Sequence, residues 1–172
     1  MRMQDDAPPG LPSELTPAPQ DVGAPPDGAP AVERVSYLGF LVGLEMYGLP
    51  LEHLRDVSRL KRLRRIPGAP AHVAGLMNVR GEIVCALDTR AILLLPPAPS
   101  RAGGFLIALR GFPDPLGLVV DAITDVYAID PAAVAPLPAS CPATRARLSI
   151  GSATVADGVM TLLDLRQMVA QP

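Results

Sequence analysis

The chain has 172 residues, of which 49% are apolar, and a formal net charge of −2. This is enough apolar matter for a sizeable core, and it argues against global disorder and against a general pull toward nucleic acid or anionic membrane. Aromatic residues make up only 3%, with no Trp, so stacking on bases or on a Pro-rich peptide is poorly supplied.

Residues 1–34 carry Pro8, Pro9, Pro12, Pro17, Pro19, Pro25, Pro26 and Pro30 among small and polar residues. Such a segment has too little apolar surface to offset its ordering entropy and is expected to be an extended, disordered leader. It lacks the basic-then-apolar order of a secretory signal. The domain proper is expected over residues 35–172. Residues 37–42 (YLGFLV) suit a buried strand, and 46–50 (MYGLP) suit its returning partner. Leu51, Leu54 and Val57 fall at i, i+3 and i+6, which predicts one or two helical turns. Arg59, Lys61, Arg62, Arg64 and Arg65 then alternate with Leu60 and Leu63. Pro70 is placed to open a short helix over 71–74.

Residues 83–87 (IVCAL) are apolar on both faces, as in a central strand, with Asp88 as helix cap and a short helix over 91–95. A Pro- and Gly-rich linker lies near 96–104. Strands are predicted over 105–109, 116–120, 126–129 and 148–155, and a Pro-rich loop over 131–142. Asp157-Gly158 signals a hairpin. A strand over 159–163 and a helix from Asp164 to about residue 169 close the chain. Residues 83–90 (IVCALDTR) echo 159–166 (VMTLLDLR): a buried strand, a capping Asp, then a helix with Arg in its first turn. The echo predicts two similarly built halves, separated by the linker near 100 and sharing a core.

The search for chemistry finds little. His53 and His72, the only histidines, belong to no triad pattern. Cys85 and Cys141 are spaced neither from each other nor from the histidines as metal ligands would be. They are expected to stay unbridged thiols in a reducing compartment. Gly103-Gly104 lacks the Lys and Ser/Thr of a phosphate loop. Asp121 and Asp125 are expected to be solvated charges. The basic run 59–65 reads as a solvated face or one meeting an acidic partner, because it has no interleaved aromatics. The longest apolar run, 91–97, is far short of the ~20 residues that span a bilayer. No catalytic residue, metal or cofactor is assigned, and the chain reads as a soluble, cytoplasmic binding module.

Residues 73–90 read VAGLMNVRGEIVCALDTR. Gly75, Asn78, Arg80, Gly81, Asp88 and Arg90 stand in register with the signature of the CheW-like chemotaxis coupling family, which this stretch resembles. Residues 37–50, 51–57, 65–67, 116–126 and 157–168 resemble further family blocks in the expected order. The resemblance covers about residues 36–170. It implies an all-β fold of two small SH3-like β-barrel subdomains sharing a core, with short helices. It implies a non-enzymatic adaptor that joins the regulatory domain of a CheA-type histidine kinase to the cytoplasmic tip of a methyl-accepting chemoreceptor, with no nucleic-acid partner and no direct membrane insertion. It places a kinase-facing surface around Leu54, Asp56 and Gly75 and a receptor-facing surface at Asn78, Val79, Arg80 and Gly81. Two rival readings are weaker. An SH3-like adaptor of another signalling complex lacks aromatics, and a small enzyme lacks a recognisable site. The residues leave two roles open for Arg80, a partner contact or an internal salt bridge to Glu82 or Asp88. For Asn78 a turn-forming role competes with a binding one.

Overall fold

A computed structural model describes residues 33–97 and 103–170. The expected leader, apart from residues 33 and 34, and the middle of the linker near 96–104 lie outside the described residues. The strands are β1 (Val35–Val42), β2 (Glu45–Pro50), β3 (Leu54–Arg59), β4 (Val73–Val79) and β5 (Glu82–Asp88), followed by the helix α1 (Thr89–Ile92). Then come β6 (Phe105–Leu109), β7 (Leu116–Val120), β8 (Ala122–Ile129), the helix α2 (Ala143–Arg147), β9 (Ser149–Val155), β10 (Gly158–Leu163) and the helix α3 (Leu165–Val169). None of these helices is long and apolar enough to cross a membrane.

The strands form two five-stranded sheets, ordered β8-β1-β2-β10-β9 and β3-β6-β7-β5-β4. Each is closed into a barrel by one further bridge. Past β3, Arg64 and Leu76 exchange backbone hydrogen bonds of 2.9 and 2.8 Å; past β8, Ala135 and Ser152 exchange two of 2.8 Å. The two sheets repeat one plan, with β1, β2, β8, β9 and β10 corresponding to β6, β7, β3, β4 and β5. The echoing halves are therefore real, and so are the two barrels of an all-β fold. The linker near 96–104, however, does not divide them. Each barrel takes two strands from one side of the linker and three from the other.

This exchange explains why the strands are apolar on both faces. In the β3-containing barrel, Met77, Val79, Val84, Ala86, Leu106 and Val119 fill the interior. In the other barrel, Tyr37, Ile129, Ala153, Met160 and Leu162 do so. The opposite faces of the same strands, including Phe40, Leu49, Leu87, Ile107, Leu118 and Leu163, build one shared core between the barrels. The two short helices cap this core alike. Asp88 accepts from the Arg90 N–H, and Asp164 accepts from the N–H groups of Arg166 and Gln167, satisfying donors that a helix start leaves free.

Three local expectations are corrected. The helical turns expected around 51–57 are a single 3-10 turn, Leu51–His53, leading into β3. A register irregularity between Leu54 and Asp56 shifts the alternation of β3, so Leu54 and Val57 both pack on the shared core; a bulged strand thus imitates a spacing of three. Residues 71–72 form a turn, not a helix. The Val73 N–H bonds the Pro70 carbonyl at 2.9 Å, and β4 starts there. Asp121 is not a solvated charge. Its Oδ2 accepts from Arg90 Nη2 at 2.5 Å and from the Gly43 N–H at 2.6 Å, bracing the end of β7 against α1 and the β1–β2 turn. Helix α2, just after the Pro-rich loop, carried no periodic signal.

Candidate functional site

The stretch 73–88 folds as the β4–β5 hairpin, whose tip is the two-residue turn Arg80-Gly81 between the paired Val79 and Glu82. Both turn residues have positive φ, 51° and 92°, the arrangement that matches a tight hairpin to strand twist. Gly81 adopts it freely, whereas Arg80 does so against its Cβ. Asn78 Oδ1 accepts the Gly81 N–H at 2.9 Å, so Asn78 forms the turn.

The Arg80 side chain stands 82% exposed, and its Nη2 lies 3.0 Å from Oδ1 of Asp56 on β3. The internal bridge expected for Arg80 thus goes to Asp56, not to Glu82 or Asp88. Glu82 pairs instead with Arg55, the neighbour of Asp56. Two adjacent residues of β3 therefore grip both sides of the hairpin tip with opposite charges. Asp56 is only 17% exposed in its side chain, and its Oδ2 and the nearby Ser58 Oγ are buried without a hydrogen-bond partner. A carboxylate in that position depends on its one guanidinium contact.

The remaining predicted residues occupy different places. Val79 is 4% exposed and faces the barrel interior with Met77 and Val84. Gly75 is also buried, with φ of 141°; a Cβ there would come within 2.6 Å of the Arg64 carbonyl oxygen. Its role is to let the closing segment cross β4. Leu54 is half-buried against the shared core, and its carbonyl accepts from Arg110 Nε at 2.6 Å. The fold thus gathers Asp56, Asn78, Arg80 and Gly81 at one accessible tip, backed by Val79.

Sequence reasoning missed the Arg55–Glu82 pair and Ile83. Ile83 is 55% exposed and lies opposite Asn78 in the hairpin register, giving the tip an apolar contact surface. The uniform apolarity of 83–87 hid it, since nothing in that run marks which residue faces out.

Comparison with known proteins agrees with this architecture. The CheW-like domain model matches residues 36–172. The chain is 29% identical over 101 residues to the chemotaxis protein CheW of Treponema pallidum, spanning 56% of this chain and 59% of that protein. It is 22% identical over 134 residues to the chemotaxis protein CheW of Klebsiella aerogenes, spanning 78% and 81%. The crystal structure of the scaffolding protein TtCheW from Thermoanaerobacter tengcongensis superposes with a TM-score of 0.69 at 21% identity, covering 80% of this chain and 94% of that one. With the family pattern running through both interleaved barrels, the chain belongs to the CheW-like domain family.

Proposed function

We propose that this protein is a non-enzymatic, cytoplasmic adaptor that couples the regulatory domain of a CheA-type histidine kinase to the cytoplasmic tip of methyl-accepting chemoreceptors. The observation that carries the reading is the hairpin tip inside the family signature, where an exposed guanidinium is held in place by Asp56. Only Nη2 of Arg80 is engaged there. The rest of its planar fork is open to carboxylates or to carbonyls at a receptor helix end. In this reading Asn78, Arg80 and Gly81 face the receptor, with Val79 supporting the turn from inside. Leu54 and Asp56 on β3 form the kinase side, and Gly75 keeps the closing segment close. Function then consists of proximity: two surfaces on one rigid body turn two weak encounters into a stable assembly through effective concentration.

The test is reconstitution. The purified chain is mixed with a kinase regulatory domain and a receptor cytoplasmic fragment, and complexes are separated by size. A ternary species that requires this chain is expected. If the chain co-elutes with neither partner, the adaptor reading fails.

A further inference from the structure

The basic run between β3 and β4 plays no part in the hairpin tip. Arg59, Lys61, Arg62, Arg64 and Arg65 crowd into one short stretch of a chain whose net charge is −2. Arg59 is engaged, its guanidinium 5.2 Å from the centre of the Phe105 ring. Lys61, Arg62, Arg64 and Arg65 are exposed, and among the described residues none of the four has an ion-pair partner. Like charges set side by side repel, and a surface built for solubility alone intersperses the two signs.

The stretch is also held in place. Leu60 and Leu63 pack on the barrel core beside Met77 and Val79. The Leu60 N–H bonds the Gly104 carbonyl at 2.8 Å, and Arg64 is tied to Leu76 by two backbone bonds. The leucines anchor the chain inward and leave the cations outside. Beside them lies a groove of about 670 Å³ lined by Lys61 and Arg65 together with the apolar Leu63, Ile66 and Pro70. The buried Asp88 also borders it, with its carboxylate bonded to the α1 start.

We propose that this groove receives an extended acidic segment of a partner protein, its carboxylates on Lys61 and Arg65 and an apolar side chain against Leu63, Ile66 and Pro70. Charge complementarity selects the sign of the partner, and the apolar lining selects a polypeptide. A nucleic acid would satisfy the cations but find, among the described residues lining the groove, no aromatic ring on which to stack. A flat anionic membrane would reach the exposed arginines and leave the groove unfilled.

The experiment uses the full chain and a short fluorescent peptide of alternating Glu and Leu, with neither kinase nor receptor present, so its outcome is independent of the adaptor reading. Anisotropy is expected to show binding that weakens steeply with added salt. The Lys61→Glu/Arg65→Glu double variant is expected to lose about tenfold or more in affinity, and the same peptide with Gln in place of Glu is expected to bind comparably weakly. Circular dichroism checks the fold; should charge reversal disturb it, the Lys61→Ala/Arg65→Ala pair must still weaken binding severalfold. Unchanged affinity in the folded variants, or equal binding of the Gln peptide, overturns the proposal. So does tighter binding of single-stranded DNA or of anionic vesicles than of the acidic peptide.

Discussion

Arg80, at the tip of the β4–β5 hairpin, donates to Asp56 of β3 across 3.0 Å, joining two residues that lie 24 positions apart in the chain. The proposed function puts one on the receptor surface and the other on the kinase surface, so on that reading the two surfaces share this ion pair and are expected to be disturbed together. Arg80→Ala leaves a mostly buried carboxylate without its cation, and Asp56→Ala releases the guanidinium from its set direction.

The first prediction follows from that contact. In a double-mutant cycle, Arg80→Ala and Asp56→Ala are expected to show a coupling of about 0.5–1 kcal/mol in stability, the range of a partly exposed pair. Each substitution is expected to weaken binding of both the kinase domain and the receptor fragment. Titration of each single variant against each partner decides it. Purely additive melts and single-partner defects would mean that the pair is incidental.

Leu87 and Leu163 lie in different barrels but in the same shared core, at 6% and 0% exposure. Replacing either by Ala is expected to cost about 2–5 kcal/mol. Because each barrel borrows two strands from the other half, thermal unfolding of either variant is expected to remain one cooperative transition. Two resolved calorimetric steps would contradict the interleaved core.

Gly75 and Gly81 both have positive φ but different surroundings. A Cβ at Gly75 meets the Arg64 carbonyl at 2.6 Å, whereas one at Gly81 meets nothing within 4 Å. Gly81→Ala is expected to cost about 1 kcal/mol from backbone strain alone. Gly75→Ala adds a backbone collision and is expected to cost more than about 2 kcal/mol. Denaturant midpoints of the two variants provide the comparison, and an equal loss would remove the packing argument for Gly75.

A fourth expectation concerns acid. Burial alone would raise the Glu45 carboxyl, but hydrogen bonds from Tyr47 and Arg145 and the Arg145 charge outweigh it and hold the group below its usual range. A carboxyl depressed in the folded state contributes stability above its unfolded value, and that contribution disappears as pH falls through the folded one. Glu45→Gln is therefore expected to melt below the parent chain at pH 7, with the gap closing at pH values under about 4. A gap that stays constant across the acid range would show that the carboxylate charge is not what stabilises the fold.

Much of the architecture was legible locally. Asp88 and Asp164 declared their helices because a capping carboxylate acts within three residues of itself. Residues 105–109 and 116–120 declared their strands because a continuous short apolar run bounded by Gly and Pro has few other solutions. The β3 reading failed because a bulge changes strand parity without leaving a mark in composition. Asp121 was misread because its partners, Arg90 and Gly43, are remote in the chain.

By itself, the sequence determined eight of the ten strands among the described residues, all but β3 and β4, the two echoing halves and the signature that contains Asn78-Val79-Arg80-Gly81. These rest on short-range chemistry: alternation, capping and turn preference. Only the tertiary structure decided that β1 and β2 cross to β8, β9 and β10, that Val79 and Gly75 are buried supports, and that Arg80 clasps Asp56. A strand apolar on both faces fits several neighbours equally well in one dimension. Which neighbour it takes, and which charge a turn residue then meets, is settled by how two interiors and the core between them fill the same space.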